Sequence, residues 1–133
     1  MATAADALRA RIQARLAEQR ELVVSLLGLR EQLQGSLFTR YGECGKEACA
    51  CRQGQRHGPY YVLSHRTGGS GRFAYLTSDQ AQAARDLVSR ARTFRKGLRR
   101  LRKVNDEVLA LLRRYQDAMS RRGDQRLGLR APA

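Results

Sequence analysis

The chain has 133 residues, of which 42% are hydrophobic and only 6% aromatic, and its 26 basic and 12 acidic residues give a formal net charge of +14. This length fits one domain or one small module with helical extensions, and the scarcity of large apolar side chains is typical of long helices rather than of a compact globule. The basic excess favours a polyanionic partner, most often nucleic acid. Arginine supplies 23 of the 26 basic residues, and such a bias also arises in GC-rich genomes.

The cysteine count and the apolar stretches limit where the protein works. Three cysteines cannot all pair within one chain, and the N-terminal residues lack the apolar core of a secretory signal. The longest strongly apolar stretch, residues 22–29, is too short to span a bilayer. We therefore expect a cytoplasmic protein without membrane contact, whose cysteines are thiols or metal ligands rather than disulfides.

Residues 1–35 are predicted to form an N-terminal helical arm. Apolar residues recur there at spacings of three, four and seven between Leu8 and Leu33. Thr3, with Asp6 three residues later, fits an N-cap. Glycine and serine at positions 35 and 36 end the pattern.

Residues 36–78 are predicted to form a small head. Residues 36–59 show no periodicity and are interpreted as a loop or a metal-nucleated knot. Two β-prone runs, 60–65 and 72–76, flank a glycine-rich turn and predict a β-hairpin. One hairpin is marginally stable by itself in water, so it needs support from another part of the chain.

Four metal-ligating side chains lie close together in the head. Their spacing is C-x4-C-x-C-x5-H, and they are Cys44, Cys49, Cys51 and His57. Three thiolates and one imidazole are a common ligand set for a structural zinc ion, whose binding would stabilise a loop that lacks a core. The alternative is three free thiols beside a histidine that only begins the hairpin.

The same residues argue against catalysis. A zinc site with all four positions filled leaves none open for chemistry. The head has no paired carboxylates and no glycine-rich phosphate motif. We therefore expect no enzyme and no small-molecule substrate.

Residues 79–122 are predicted to form a long basic coiled-coil helix. Thr77 and Gln80 fit a capping box at its start, and two apolar series repeat every seven residues to form a heptad seam. The seam residues are Leu87, Ala91, Phe94, Leu98, Leu101, Asn105, Val108, Leu112 and Tyr115. The long seam favours a homodimer, in which Asn105 either fixes the register or marks a weak point.

These elements predict a mainly α fold. Two long helices form an antiparallel helical hairpin or coiled coil, with a small zinc-stapled β-hairpin head inserted between them. Residues 123–133 are predicted to be a disordered tail.

Basic side chains are concentrated on the second helix. Residues 90–103 contain eight basic and no acidic residues, and all eight avoid the seam. They are Arg90, Arg92, Arg95, Lys96, Arg99, Arg100, Arg102 and Lys103. They are predicted to bind nucleic acid together with four arginines of the head, which are Arg52, Arg56, Arg66 and Arg72. The alternative is a solvated face whose arginine stems shield the seam.

The head also carries a recognisable core. It consists of Cys44-Gly45-Lys46, Cys49-x-Cys51, Gly54, His57-Gly58-Pro59-Tyr60-Tyr61, a glycine-rich turn and Arg72-x-x-Tyr75. This core resembles that of a family of small uncharacterised bacterial proteins, which carry it between helices. The resemblance covers residues 36–78, and the helices only in general character. Such proteins look to be encoded among mobile-element and transposase-like genes, so the resemblance implies a DNA-associated accessory role.

The leading hypothesis is therefore a DNA-binding accessory or regulatory protein with a structural zinc site, linked to a mobile element, with DNA favoured over RNA. One alternative is a protein-interaction adaptor in which the coiled coil recruits a partner. A second is a thiol-based metal or redox sensor.

Overall fold

The computed structural model describes residues 1–67 and 69–129. In chain order the elements are α1 (Ala4–Gly28), β1 (Gly35–Gly42), a short 3-10 helix (Ala50–Gln53), β2 (His57–Thr67), β3 (Ser70–Leu76) and α2 (Ser78–Leu127). The chain divides into two compact units. The helical unit contains Met1–Gly28 and the chain from Lys96 onward, and the sheet unit is Leu29–Arg95. Among the described residues, no helix is both long enough and apolar enough to cross a membrane.

The predicted fold class, mainly α with an inserted two-stranded hairpin, is wrong. The described residues form two α-helices and a three-stranded antiparallel sheet with the strand order β1-β2-β3. The unpredicted strand is β1, which lies in the region interpreted as a loop. Its apolar residues do not alternate regularly, and its strand state comes from pairing with β2, where Phe38 lies opposite Val62. The third strand also supplies support that a lone hairpin would lack.

Both helices begin with reciprocal side-chain caps. At α2 the Thr77 N–H donates to Gln80 Oε1 at 2.9 Å, and the Gln80 N–H donates to Thr77 Oγ1 at 3.2 Å. Thr3 and Asp6 form the same arrangement at α1. Each cap satisfies backbone N–H groups that have no partner within the helix.

The ends of the elements differ from the predicted boundaries. Helix α1 ends at Gly28, within the predicted arm, and α2 continues to Leu127. Of the predicted disordered tail, residues 130–133 lie outside the described residues. Gly68 of the predicted turn lies outside them as well.

In the sheet unit, one face of the sheet packs toward the first turns of α2. The Leu33 N–H donates to the Leu87 carbonyl at 3.1 Å, and the Arg85 guanidinium lies 5.5 Å from the centroid of the Tyr61 ring. Leu63 and Val88 are buried. The contact between Arg85 and Tyr61 lies on one side of a sheet whose side chains alternate between two faces.

In the helical unit, α1 and the later part of α2 run antiparallel. Gln19 Nε2 donates to Asn105 Oδ1 at 2.8 Å, and Arg122 Nη2 donates to Thr3 Oγ1 at 3.0 Å. Asn105, the polar residue of the predicted seam, is therefore satisfied within the chain. The buried cluster near the start of α1 consists of Leu8, Ile12 and Leu111, with Tyr115 packed against it.

The buried stripe of α2 in this unit does not follow the predicted seam throughout. Val104 and Leu111 are buried, whereas the predicted seam residues Leu98 and Leu112 are 47% and 45% exposed. The heptad series that contains Leu98 and Leu112 thus lies one residue C-terminal to the buried positions of this unit. The face that α1 covers, rather than apolar content alone, decides which residues are buried.

Gly97 marks a close approach of the two helices. A Cβ atom at this position would collide with the side chain of Leu26, which is buried. We predict that Gly97→Val lowers the free energy of unfolding by about 1–3 kcal/mol through overpacking, as measured by thermal or urea denaturation. Gly123→Val is the matched control, since a Cβ on this exposed helical glycine meets nothing within 4 Å. Equal stability of the two variants would contradict the close packing at Gly97.

Candidate metal centre and aromatic sheet face

The predicted metal ligands lie at the connection between β1 and β2. Cys44 follows the end of β1 at Gly42, and His57 is the first residue of β2. Cys49 precedes the 3-10 helix and Cys51 lies within it. Because Gly42 pairs directly with His57, the sheet closes the base of the loop that carries the cysteines.

Tight turns allow Cys49 and Cys51 to face the same point although only one residue separates them. The Cys49 N–H donates to the Lys46 carbonyl at 3.2 Å, and the Arg52 N–H donates to the Cys49 carbonyl at 3.3 Å. Gly54 then ends the 3-10 helix with a φ of 104°, in the left-handed region. The local backbone thereby turns both thiols inward.

The four side chains are close enough together to share one ion. Their ligand atoms all lie within 4.8 Å of one another. Cys49 Sγ is 3.1 Å from His57 Nε2, and Cys44 Sγ is 3.6 Å from Cys51 Sγ. Tetrahedral bonds of about 2.3 Å to sulfur and about 2.0 Å to nitrogen place neighbouring ligands at comparable separations. The predicted residues are therefore brought together in an arrangement compatible with a metal site.

Hydrogen bonding gives the thiols different acidities. The backbone N–H of Cys51, followed by the thiols of Cys44 and Cys51, lowers the pKa of the Cys49 thiol from 9.0 to about 6. The backbone N–H of Cys44, 3.3 Å from the Cys51 sulfur, acts to lower the pKa of Cys51. Burial and the neighbouring thiols outweigh it, so the pKa of Cys51 is raised. A bound cation would favour the thiolate form of each ligand and would displace the proton that Cys51 otherwise retains.

A second feature of the sheet unit is an aromatic face on the side of the sheet opposite Tyr61 and Leu63. We define the aromatic face as Phe38, Tyr60, Phe73 and Tyr75 together with Arg40. Strand alternation and the pairing of Phe38, Val62 and Tyr75 across the three strands place these side chains on one side.

The rings of the aromatic face form two edge-to-face pairs. The Phe38 and Phe73 centroids are 6.5 Å apart, as are those of Tyr60 and Tyr75. Arg40 Nη1 donates to the Tyr75 hydroxyl at 2.8 Å. The rings are 44–70% exposed, whereas Val62 between them is 3% exposed. They therefore shield one valine and present most of their own surface to solvent.

A cleft of about 420 Å³ adjoins both features. Arg40, Tyr60 and Tyr75 of the aromatic face line it, and Cys44 of the metal centre lines it as well. Glu43 contributes the acidic group of the cleft. The metal centre and the aromatic face are thus neighbours within one unit.

The predicted nucleic-acid-binding residues differ in their surroundings. Arg90 Nη2 lies 2.9 Å from Asp86 Oδ2, and Arg90 Nη1 lies 4.0 Å from Glu31 Oε2. Arg100 forms an ion pair with Glu18. The other members on α2, and the four arginines of the head, are exposed. From the sequence, the head combines Arg40 with Tyr60, Phe73 and Tyr75, residue types that can stack bases. Phe38 was not predicted to join them, because the common face becomes apparent only once β1 is recognised as a strand.

Comparison with known proteins identifies a family. Residues 6–85 match the profile of a domain of unknown function, DUF6788. Because the match spans more than half of the chain, the protein belongs to this family, and the prediction of an uncharacterised protein family is confirmed. No curated protein and no solved structure matches the chain. The matched residues include the metal centre and the aromatic face, whereas residues 90–103 lie beyond them.

Gly58 is a backbone requirement of this site. Its φ is 138°, and a Cβ would lie 2.8 Å from Tyr41 Cδ1 and 2.9 Å from the Arg40 carbonyl oxygen. We predict that Gly58→Ala lowers the free energy of unfolding by about 1–3 kcal/mol, the cost typical of such backbone strain, as measured by urea denaturation. Gly45→Ala is the control in the same loop, because a Cβ there meets nothing within 4 Å. A fully stable Gly58→Ala variant would contradict the described approach of the two strands.

Proposed function

We propose that this member of the DUF6788 family is a cytoplasmic DNA-binding accessory or regulatory protein, rather than an enzyme, and that a structural zinc ion stabilises its sheet unit. The observation that carries the proposal is the large number of exposed basic side chains, among the residues that the structure describes, that form no ion pair. Among the described residues, the basic side chains within 4.0 Å of a carboxylate oxygen are those of Arg15, Arg90 and Arg100, in a chain with 26 basic residues.

The excess charge is present in both units. The sheet unit contains eleven basic and five acidic residues. In the helical unit, Lys96, Arg99, Arg102 and Lys103 are exposed along α2. Like charges at this density repel one another and are stabilised by an external polyanion. Binding to DNA phosphates would release counterions and give an affinity that falls steeply with salt.

The sequence core of the head favours DNA over RNA and a link to a mobile element. It resembles the core of small bacterial proteins that look to be encoded among transposase-like genes. An accessory protein of such an element would act on DNA. The role proposed here is to bind that DNA, without chemistry of its own.

Zinc is the metal that the ligand set favours. Three thiolates and one imidazole are a soft, nitrogen-containing set that suits tetrahedral Zn²⁺. Cys44, Cys49, Cys51 and His57 would hold it, and with four protein ligands its contribution would be structural. By joining the loop to the first residue of β2, the ion would stabilise the ladder between β1 and β2.

The zinc proposal predicts one ion per chain, removable by a chelator. Native mass spectrometry under reducing conditions should show this stoichiometry and its loss in Cys51→Ser and His57→Ala. The affinity of each variant for zinc should fall by more than about a hundredfold. Replacing a residue that only supports a ligand typically costs about 10–100-fold in metal affinity, so a larger loss identifies a ligand. His65→Ala is the matched control and should retain the ion. A metal-free wild-type chain after zinc addition would rule out the site.

The DNA proposal predicts salt-dependent binding that depends on the unneutralised basic side chains. Fluorescence anisotropy with a labelled duplex should show weaker binding at 200 mM than at 50 mM salt. The double variant Arg99→Gln/Lys103→Gln should reduce the slope of log affinity against log salt by about 2. Arg15→Gln/Arg100→Gln removes equal charge from ion-paired positions and should reduce it less. Absence of binding to both the duplex and a single strand at 50 mM salt would refute the proposal.

A homodimer is the second proposal, and exposed apolar side chains of the helical unit support it. Leu98 and Leu112 belong to the predicted seam and are about half exposed, so a second copy would bury apolar surface there. An adaptor that uses the same face for another protein is the alternative. The same native mass spectra report the oligomeric state.

A thiol-based sensor is a further candidate. The 3.6 Å separation of the Cys44 and Cys51 sulfurs favours it, because oxidation of these two thiols would join them. Unreactive, metal-protected thiols in the wild-type protein would count against this role.

A further inference from the structure

We propose that the aromatic face binds unpaired bases of single-stranded DNA by stacking, and that this is how the sheet unit selects its ligand. The inference rests on the proposed function, since it assumes that the chain binds nucleic acid. It assigns to the sheet a substrate class, the single strand, that a basic surface by itself does not specify.

The exposure of the rings shows that they are not core residues of the described chain. Phe73 and Tyr75 are more than 60% exposed, and Phe38 and Tyr60 are each 44% exposed. The opposite face already contacts α2 through Tyr61 and Arg85. Four large rings concentrated on the uncovered side form a contiguous patch of the kind that marks an interaction surface.

The charge of the sheet identifies the class of ligand. Strand alternation places Arg40 and Arg66 on the side of the rings and Arg72, which pairs with His65, on the opposite side; the three strands contain no aspartate or glutamate. Exposed aromatic rings beside two arginines, with the Glu43 carboxylate only in the adjoining cleft, are complementary to a strand that combines flat bases with phosphates. A neutral apolar partner would gain nothing from these arginines, whereas a polyanion would be attracted by them.

Stacking on this face requires bases that are free of a duplex. In a double helix the faces of the bases are already covered by their neighbours, so a flat aromatic surface can bind only splayed or single-stranded bases. Every base has such a face, so the contact tolerates many sequences. Single-stranded DNA therefore fits the aromatic face better than a duplex does.

The adjoining cleft accommodates part of a nucleotide. Its volume of about 420 Å³ lies within the about 300–1,000 Å³ range of sites that take small organic groups. Tyr60, Tyr75 and Arg40 provide its ring and cationic surfaces. The Glu43 carboxylate at its wall repels phosphate and accepts hydrogen bonds. A base rather than a phosphate is therefore the group that enters, and the phosphates remain beside the exposed arginines.

The test compares three labelled probes of equal length by anisotropy at one salt concentration: an oligo(dT) strand, an abasic strand with the same sugar-phosphate chain, and a duplex. The wild-type protein should bind oligo(dT) at least about tenfold more tightly than the abasic strand, as stacking of one or two bases predicts. Phe73→Leu should lose about tenfold in oligo(dT) affinity. Its affinity for the abasic strand should change less than about twofold, because the phosphate contacts remain.

Conservative variants control for folding. Phe73→Tyr keeps an aromatic ring and should retain oligo(dT) binding, whereas Phe73→Leu keeps only the apolar character. Tyr60→Leu should repeat the loss at a second ring. Should the leucine variants unfold, as judged by circular dichroism, the comparison of oligo(dT) with the abasic strand on the wild-type protein still decides the question.

The outcomes separate this inference from the proposed function. Binding to none of the three probes would remove both. Equal binding to oligo(dT) and the abasic strand would overturn the stacking inference and leave DNA binding intact. Two further outcomes would assign the aromatic face to another occupant and overturn the stacking inference. One is a dimer that dissociates in Phe73→Leu. The other is binding to anionic vesicles that Phe73→Leu abolishes while oligo(dT) binding is retained.

Discussion

The pairing of β1 with β2 is the interaction on which the sheet unit depends. It places Phe38 and Arg40 beside Tyr60 and Val62, which creates the aromatic face. At the other end of the ladder it places Gly42 opposite His57, so the cysteine loop closes on the sheet. A strand that is weakly marked in the sequence thus determines both the metal centre and the exposed rings. Without it, the chain would have a hairpin with no partner strand and ligands with no fixed base.

The sequence predicted local features better than it predicted pairing. Cys44, Cys49, Cys51 and His57 were identifiable because ligand chemistry and spacing are read directly from residue types, and the structure brings them together. The cap of α2 follows from Thr77 and Gln80 in the same way. Strand β1 was not predictable by that route, because residues 36–40 acquire their conformation from partners 20 to 28 positions away along the chain.

The helical unit illustrates a different limit. Two apolar residues in succession, Leu111 and Leu112, both suit a heptad position, and composition does not say which one faces α1. The structure buries Leu111 and exposes Leu112. Burial is set by the partner helix that Gly97 allows to approach closely at Leu26. A one-residue displacement of this kind leaves the helix prediction intact and changes which side chains remain available to another molecule.

The metal cluster and the cleft share one residue, Cys44. Cys44 is both a member of the metal cluster and part of the wall of the cleft beside Tyr60 and Tyr75. A group bound at that thiol therefore lies beside the surface on which the proposed ligand rests. If zinc binding changes the affinity for a DNA strand at this cleft, DNA binding changes the affinity for zinc by the same factor. A protein built in this way would make its hold on DNA responsive to the supply of metal in the cell.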